Sequence, residues 1–432
     1  MLRITIIGGR NGSDDLDRLV IGNSPPLRGR VRIEGAKNAM LPIMAATLLT
    51  EDVCTISDIP SLGDVGVMQQ ILEHLGVDIG QGTGDSMRLS ASRLIGHEAP
   101  YELANAIRGS FLIAGALLAR QGKARIPLPG GCAIGARPIE LHLKGFSAMG
   151  ADITKEHGFI NLSGVLSGAK IYLDFPSVGA TENIIMAACL ANGRTIIENC
   201  AVEPEIVDLA NFINSMGAEV RGAGTDTIKI NGVKQLSGTH HSLIPDRIEA
   251  GTFMVAAAVT HGDILLENAV ADHLKPIIAK LEEAGAKVEA KDEGLRTYVP
   301  QGAVLRGIDI KTLPYPGFPT DMQAQFMAML AVAQGTSVVT ETVFENRYLH
   351  VGELKRMGAN IKIEGRSAVI EGSTSLQGAS VQATDLRAAA AMVLAGLVAE
   401  GTTTMESVHH LERGYSGFID KLKTLGANLE MT

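Results

Sequence analysis

The chain has 432 residues, a formal net charge of -9 and an apolar content of 46%. This length is enough for two or three domains, each with a core of its own. The negative balance, without any Lys- and Arg-rich run that is interleaved with aromatic residues, argues against a nucleic-acid partner.

The chain lacks the sequence features of a secreted or membrane protein. Residues Met1 to Arg10 lead into a polar stretch, so no signal peptide is predicted. The longest apolar run, Ala388 to Ala399, is too short to span a bilayer. The four cysteines form no C-x-x-C pair and accompany no histidine cluster at ligand spacing, which argues against structural zinc and a disulfide framework. We therefore expect a cytoplasmic protein without a membrane segment.

One short pattern recurs six times along the chain. In each copy a predicted helix ends in an apolar residue, a glycine and a small residue, and an alternating strand follows. The six glycines lie 74, 67, 68, 73 and 68 residues apart, at Gly76, Gly150, Gly217, Gly285, Gly358 and Gly426. A left-handed glycine stops a helix cheaply because it has no Cβ. The pattern predicts six units of about seventy residues.

Each unit also contains an earlier helix that is almost entirely apolar. Examples are Met322 to Ala333 and Ala388 to Ala399. A helix without a polar face is surrounded by protein, so sheets must cover it on several sides. Alternating helices and strands indicate an α/β fold, and six units divide most simply into two domains of three.

Polar residues stand at or just before the start of each buried helix. Aspartate, serine and threonine there are equally well explained as helix caps. Lys and Arg are not explained in this way, because a positive charge at a helix N-terminus opposes the helix dipole. Cations at helix N-termini predict an anionic ligand, a phosphate or a carboxylate, in a cleft where the N-termini gather. The residues are Lys37, Asn38, Arg108, Ser177 to Thr181, Asp246, Arg247, Asp321, Asp385 and Arg387.

Cys132 lies in a glycine- and proline-rich segment, Leu128 to Pro138, ten positions before His142. A free cysteine is usually a small buried hydrophobe, and loop glycines usually only form turns. Exposure and the nearby Arg137 instead favour a reactive thiolate. We expect Cys132 to be reactive and the remaining cysteines to be buried among apolar neighbours, namely Cys54, Cys189 and Cys200.

Four segments together resemble the UDP-N-acetylglucosamine 1-carboxyvinyltransferase family, which is related to EPSP synthase. They are Gly35 to Asn38, Pro129 to Pro138, Phe318 to Gln325 and Arg413 to Tyr415. The resemblance runs from about Gly29 to the C-terminus. It implies an inside-out α/β barrel in each of two domains, residues 37–244 and residues 1–36 with 245–432. Chain crossings near Ala36 and Ile244 would act as a hinge beside an interdomain active-site cleft.

The resemblance implies transfer of the enolpyruvyl group of phosphoenolpyruvate to the 3-hydroxyl of UDP-N-acetylglucosamine, with release of phosphate. This is the first committed step of peptidoglycan synthesis. Cys132 would donate a proton and also react with the epoxide fosfomycin, and Asp321 would be the base that takes the hydroxyl proton. Arg suits phosphate and carboxylate because its fork binds them bidentately. The family's anion-binding residues correspond to Lys37, Arg108, Arg137 and Arg413, with Asn38 on the sugar side.

By the same resemblance, the nucleotide would contact three segments. Asp385 and Arg387 would adjust the cleft, and Phe175 departs from a lysine that some relatives direct to the phosphates. We expect no metal and no cofactor, because Lys and Arg already neutralise the anions. The histidines, His74 and His142 among them, are expected to be solvated or to pack on helices. The nucleotide contacts are Arg137, Pro138, Ile139, Glu140, Leu141, Ser177, Val178, Gly179 and Val343.

Three alternatives remain open. The first is the sister activity on shikimate 3-phosphate, against which Cys132 argues, because that enzyme lacks such a cysteine loop. The second is transfer to a different nucleotide. The third is a paralogue that senses a UDP-sugar without turning it over; Lys37, Cys132, Asp321 and Arg413 together argue against it.

Overall fold

The computed structural model describes residues 18–128, 135, 139–372 and 375–432. Cys132, Arg137 and Pro138 therefore lie outside the described residues. Short 3-10 helices at Thr47–Leu49, Arg108–Leu112 and Thr320–Met322 accompany the main elements. As far as residue 242 the strands and helices are β1 (Leu19–Gly22), β2 (Arg28–Arg32), α1 (Lys37–Ala46), β3 (Val53–Ser57), α2 (Gly63–His74), β4 (Asp78–Gln81), β5 (Ser86–Ser90), α3 (Tyr101–Ala106), α4 (Ile113–Gln121), β6 (Lys123–Pro127), α5 (Glu140–Ala148), β7 (Asp152–Glu156), β8 (Phe159–Ser163), β9 (Lys170–Tyr172), α6 (Val178–Cys189), β10 (Arg194–Glu198), α7 (Pro204–Ser215), β11 (Glu219–Arg221), β12 (Thr227–Asn231) and β13 (His240–Ser242).

The remaining elements repeat the same alternation of helix and strand. They are α8 (Arg247–Val259), β14 (Asp263–Glu267), α9 (Ala271–Ala284), β15 (Lys287–Lys291), β16 (Gly294–Tyr298), β17 (Ile310–Lys311), α10 (Gln323–Leu330), β18 (Thr336–Thr340), α11 (Val351–Arg356), β19 (Asn360–Glu364), β20 (Ser367–Glu371), β21 (Ser380–Gln382), α12 (Leu386–Gly396), β22 (Thr402–Glu406), α13 (His409–Glu412), α14 (Phe418–Thr424) and β23 (Leu429–Met431).

The six predicted units correspond to the six sheets that the described residues form. In the unit that starts at β9, β9 pairs in parallel with β10, and the hairpin of β11 and β12 completes the sheet in the order β11-β12-β10-β9. The unit that starts at β17 has the same order, β17-β18-β20-β19. These units are βαβαββ motifs. The sheets of β3, β14 and β22 take one strand each from a distant part of the chain, namely β13, β2 and β1. In the sheet of β6 a single parallel bridge between Glu98 and Arg125 replaces the first strand.

The glycines of the repeated pattern adopt the predicted left-handed conformation. Gly76 has φ +97°, Gly217 +101° and Gly358 +90°, and the other three lie in the same range. A side chain at these positions would strain the backbone, so the glycine is what lets the chain reverse from helix to strand. The prediction of six helix stops is confirmed.

The apolar helices lie inside their sheets, as predicted. All eight residues of α10 are buried, and so is every residue of α8 after Arg247. Strands such as β18 alternate buried and exposed residues, so one face covers the helices and the other meets solvent. The inside-out α/β arrangement is therefore confirmed. No helix in the described part of the chain is long and apolar enough to cross a membrane.

Buried apolar residues form two separate clusters, one within residues 36–243 and one that combines residues 19–33 with 248–429. We call them the first half and the second half. Two chain segments run side by side where the halves join: the Ala36 amide donates to the Ile244 carbonyl at 2.8 Å, and the Asp246 amide to the Glu34 carbonyl at 2.8 Å. Strand β2 pairs with β14 in the second half, whereas β13 pairs with β3 in the first. Each of these strands therefore pairs within its own half, and the chain passes from one half to the other at the crossings beside them.

Candidate active site

Helix N-termini from the two halves meet beside the crossings. Lys37 is the first residue of α1, and its amide donates to Oδ2 of Asp246 at 3.3 Å. The other oxygen of Asp246 caps α8, accepting from the amides of Ile248 and Glu249 at 2.7 and 3.0 Å. One carboxylate therefore joins the starts of two buried helices from opposite halves, and the predicted gathering of helix N-termini is confirmed for this pair.

Lys37 and Arg413 approach each other through the carboxylate of Asp64. Nζ of Lys37 lies 3.3 Å from Oδ2 of Asp64, and Nε of Arg413 lies 3.0 Å from Oδ1. Nζ of Lys37 also donates to the Arg413 carbonyl at 3.3 Å. Asp64 lies in the first turn of α2, whereas Arg413 follows α13 in the second half. The cluster spans both halves, and sequence reasoning missed Asp64, which reads as an ordinary residue of a helix start.

The Lys37 ammonium group is desolvated. Burial lowers its pKa below the ordinary value, against the opposing effect of Asp64, and the positive charge of Arg387 lowers it further. Asp321 acts in the opposite direction. Because these effects require proximity, Lys37 of the first half and the pair Asp321 and Arg387 of the second half share one electrostatic environment.

Asp321 is held between two buried guanidinium groups. Nη2 of Arg347 donates to Oδ1 at 2.9 Å, and Nη2 of Arg387 donates to Oδ2 at 3.0 Å. Both arginine side chains are only 4% exposed, whereas that of Asp321 is 27% exposed. The carboxylate is therefore rigidly oriented yet accessible. Sequence reasoning identified Asp321 and Arg387 but missed Arg347.

A buried polar network lies behind Asp321. The Tyr415 hydroxyl lies 3.0 Å from Oγ1 of Thr252 and accepts from Nε2 of Gln325 at 3.0 Å. The same Gln325 nitrogen donates to the backbone carbonyl of Asp321 at 2.9 Å. The guanidinium of Arg387 lies 5.2 Å from the centre of the Tyr415 ring. These contacts fix both the backbone and the ion-pair partner of Asp321.

The structure shows which of the aspartates near helix starts act as helix caps, a question that the sequence left open. Asp246 and Asp385 do cap helices: Oδ1 of Asp385 accepts from the amides of Arg387 and Ala388. Asp321 lies within the 3-10 helix before α10, and its side chain pairs with Arg347 and Arg387. Capping by Asp385 also sets the position from which Arg387 reaches Asp321.

Arg247 makes a second ion pair between the halves. Its Nε lies 3.0 Å from Oε1 of Glu205 in α7, with both side chains nearly buried. Although burial lowers the pKa of Arg247, Glu205 and Glu203 raise it, and Asp321 contributes in the same direction. Arg247 therefore lies within electrostatic reach of Asp321.

The predicted nucleotide segments lie at the starts of α5 and α6. Ser177 caps α6, its Oγ accepting from the Ala180 amide. A Cβ on Gly179 would lie 3.2 Å from Cε1 of His142, so the absence of a side chain lets α6 approach α5 closely. Ile139 is the N-cap residue of α5, and Glu140 and Leu141 are its first two residues. Phe175, two residues before the cap, is 48% exposed.

His142 packs between helices, as predicted for the histidines. It is buried, its Nδ1 lies 2.9 Å from Nδ2 of Asn183, and its ring meets Phe111 edge-on. Burial lowers its pKa to about 3, and Arg108 adds to this effect. His142 is therefore neutral at ordinary pH. Arg108, the first residue of the 3-10 helix Arg108–Leu112, lies close enough for its positive charge to lower the pKa of His142.

Val343 lies in a turn that is built around the buried carboxylate of Glu341. Oε1 of Glu341 accepts from the Val343 amide at 2.7 Å, and its other oxygen accepts from the Thr320 hydroxyl at 2.8 Å. Because Thr320 precedes Asp321, the same carboxylate positions the Val343 turn and the segment that carries Asp321. Gly135 of the first half also lies against this turn: a Cβ there would be 3.1 Å from Oε2 of Glu345.

The sequence prediction that three cysteines are buried is confirmed for Cys54, Cys189 and Cys200. Burial raises the pKa of the Cys189 thiol to about 12 and that of Cys200 to about 11. Within the ranges that the structure describes, no group of three or more His, Cys, Asp or Glu residues is arranged to hold a metal ion.

The chain resembles known proteins over almost its whole length. Residues 21–422 match the family EPSP synthase (3-phosphoshikimate 1-carboxyvinyltransferase). UDP-N-acetylglucosamine 1-carboxyvinyltransferase 1 of Caldanaerobacter subterraneus is 58% identical over 95% of this chain and 99% of the relative. UDP-N-acetylglucosamine 1-carboxyvinyltransferase 2 of Carboxydothermus hydrogenoformans is 57% identical over 96% and 99%, and a homologue from Halalkalibacterium halodurans is 55% identical over 96% and 94%.

Solved structures share the fold. The enolpyruvyl transferase NikO from Streptomyces tendae superposes with a TM-score of 0.87 at 25% identity and covers 96% of this chain and 99% of its own. EPSP synthase from Acinetobacter baumannii has a TM-score of 0.75 at 20% identity, over 96% and 100%, and supports the fold alone. The chain belongs to the EPSP synthase family and, within it, to the group of the UDP-N-acetylglucosamine 1-carboxyvinyltransferases.

Proposed function

We propose that this protein transfers the enolpyruvyl group of phosphoenolpyruvate to the 3-hydroxyl of UDP-N-acetylglucosamine and releases phosphate. The observation that carries the proposal is the cluster in which Arg387 pairs with the accessible carboxylate of Asp321 and Lys37 of the first half lies within electrostatic reach of both. The names of relatives at 55–58% identity support the same substrates. The reaction would be the first committed step of peptidoglycan synthesis and would serve cell shape and division.

The cations of the cluster suit a ligand with two anionic groups. Lys37 and Arg413 both pair with Asp64, and Arg387 pairs with Asp321. Phosphoenolpyruvate carries a phosphate and a carboxylate, and buried cations bind such groups more strongly than exposed ones do. Arg108 and Arg137 complete the proposed anion-binding set, with Asn38 facing the sugar.

The proposed reaction is an addition followed by an elimination. Cys132 delivers a proton to the methylene carbon of phosphoenolpyruvate, the sugar oxygen forms a bond to the adjacent carbon, and Asp321 takes the proton of the hydroxyl group. The tetrahedral intermediate then loses phosphate and a methyl proton, which restores the double bond in the product. Two arginines support this role of Asp321 because they hold its carboxylate in one orientation.

In this proposal the uridine diphosphate lies along the start of α5 and the Ser177 cap of α6. Ile139, Glu140 and Leu141 line one side of it, and Ser177 to Gly179 line the other. The N-terminus of α6 supports a phosphate there, because its free backbone amides and dipole favour an anion. Arg137 and Pro138 precede these residues in the chain, and Val343 reaches the nucleotide from the second half.

The two halves would be domains, residues 37–244 and residues 1–36 with 245–432, with the active site between them. The paired crossings at Ala36 and Ile244 support a hinge there, because they are the shared backbone connection of two separate cores. Closure would expel water from the cluster. The enzyme would act in the cytoplasm without a metal, a cofactor or a required protein partner; free cysteines fit a reducing compartment.

The proposal is tested by substrate dependence. Purified protein with phosphoenolpyruvate should release phosphate only when UDP-N-acetylglucosamine is added, and Asp321→Ala should abolish this release while circular dichroism shows that the variant stays folded. Equal release with shikimate 3-phosphate, or full activity of Asp321→Ala, would contradict the proposal. Tight binding of UDP-N-acetylglucosamine without phosphate release would favour a sensing paralogue.

A further inference from the structure

A second cluster of buried carboxyl groups lies next to the proposed active site. Glu182 in α6, Glu205 in α7 and Glu203 at the cap of α7 are 3%, 3% and 8% exposed. Helices α6 and α7 pack against each other, and Arg247 reaches the cluster from the second half. The proposed reaction assigns no role to Glu182.

Two oxygen atoms of this cluster have no partner among the described residues. Oε1 of Glu205 is paired with Nε of Arg247 at 3.0 Å, but its Oε2 is buried and accepts no hydrogen bond. Oε1 of Glu182 is likewise buried and unpartnered. Two ionised carboxylates would repel each other here and leave uncompensated buried charge, whereas a proton on one of them removes that charge and supplies a hydrogen-bond donor.

The electrostatic environment favours a neutral Glu182. Burial raises its pKa well above the ordinary value, and the negative charges of Glu205 and Glu203 raise it further. From α5, His142 faces this helix in its neutral form. Arg247 and His273 also lie within electrostatic reach of Glu205, and burial lowers the pKa of His273.

We propose that Glu182 is a protonated carboxylic acid that donates its hydrogen to Oε2 of Glu205, so that the pair carries a single negative charge for Arg247. Glu205 then keeps Oε1 for Arg247, and the ion pair between the halves holds the guanidinium within reach of Asp321. Glu182 is thus a positioning residue for the proposed transferase reaction, on which this functional part of the inference rests. The shared proton itself does not depend on that reaction.

The proton is tested directly by infrared difference spectroscopy of the full-length protein labelled with ¹³C-glutamate. In the Glu249→Gln background, which removes another carboxyl whose pKa is raised to about 7, we expect a carboxylic acid carbonyl band at pH 7 that disappears when Glu182→Gln is added. The band should persist when Glu102→Gln, which alters an exposed glutamate of the same half, is added instead. Persistence of the band when Glu182→Gln is added, its loss when Glu203→Gln alone is added, or its absence from the Glu249→Gln protein would overturn the assignment.

The positioning role is tested by a pair of variants. Glu182→Gln still donates a hydrogen bond and should keep kcat/KM within about twofold, while Glu182→Leu leaves a buried acceptor unpaired and should lower kcat/KM about tenfold or more. Glu182→Gln should also lose the part of the alkaline activity loss that ionisation of Glu182 causes, while the part that follows from deprotonation of Lys37 should remain. Equal activity of the Gln and Leu variants at matched melting temperatures would refute the role. An intact infrared band in a protein without transferase activity would refute the proposed function instead.

Discussion

Removing the carboxylate of Asp64 should disable the proposed anion site without touching any residue predicted from the sequence. Asp64 accepts from Nζ of Lys37 at 3.3 Å and from Nε of Arg413 at 3.0 Å. A hydrogen bond to a charged group contributes about 1.5–3 kcal/mol, and loss of one partner of a buried ion pair costs about 3–5 kcal/mol. The Arg413 side chain is 41% exposed, so water compensates it in part, and the main effect falls on Lys37.

We therefore expect Asp64→Ala to lower kcat/KM about 100-fold, which corresponds to about 3 kcal/mol. Asp64→Asn keeps an acceptor oxygen but not the negative charge. Its kcat/KM should fall about tenfold, because the hydrogen bond to Lys37 loses a contribution of about 1.5 kcal/mol that depends on that charge. Asp78→Ala, an exposed aspartate at the start of β4, is the control and should leave kcat/KM unchanged.

The pH profile distinguishes this effect from general damage. Anion binding requires charged Lys37, so activity falls as pH rises through the pKa of Lys37. Because Asp64 raises that pKa against the effect of burial, both Asp64 variants should show the alkaline loss of activity at lower pH than the unaltered enzyme. Steady-state kinetics from pH 6 to 10, with unfolding curves for each variant, measure this. An unchanged kcat/KM and alkaline limb in Asp64→Ala would refute the role of the cluster.

Three further predictions concern other parts of the chain. Fosfomycin should add one equivalent to Cys132 alone by intact mass and peptide mapping, because the other three thiols are buried; labelling of Cys189 would contradict this. Burial raises the pKa of Glu249 to about 7, so between about pH 4.5 and 7 the folded protein keeps a proton that the unfolded chain releases. The free energy of unfolding should therefore fall by up to about 3 kcal/mol as the pH rises through this range. Urea unfolding of Glu249→Gln should not show this decrease. Phe175→Lys should lower KM for UDP-N-acetylglucosamine about threefold at unchanged kcat, since an exposed ion pair contributes about 0.5–1 kcal/mol; an unchanged KM would remove Phe175 from the nucleotide site.

Local sequence signals predicted the architecture well, because the repeat is built from local physics. A left-handed glycine ends a helix, so Gly76 alone predicts a helix end. An apolar helix must be covered by protein, so the apolar run in α8 alone predicts a buried helix. Helix boundaries were less exact. The helix predicted from Met322 to Ala333 is α10, Gln323–Leu330, with a 3-10 turn before it, and the helix predicted from Ala388 to Ala399 is α12, which begins two residues earlier behind the Asp385 cap.

The site was predicted only in part, because its contacts join distant segments. Asp321 and Arg387 were recognisable from their motifs, whereas Arg347 and Asp64 matter through partners that lie 26 and 349 positions away in the chain. The Glu205 pair with Arg247 is equally non-local. No periodicity or spacing reports such pairs. The clearest available signal was charge close to a helix start, which marks Asp64 and Arg247 but not their partners.

The most direct test of the proposed function is the structure of the product formed from phosphoenolpyruvate and UDP-N-acetylglucosamine. We expect NMR spectroscopy of the purified sugar nucleotide to show a vinyl ether at the 3-oxygen, formed in equal amount with phosphate and absent from reactions with Asp321→Ala. An unaltered sugar nucleotide after phosphate release, or an enolpyruvyl group that forms on shikimate 3-phosphate as readily, would contradict the proposal.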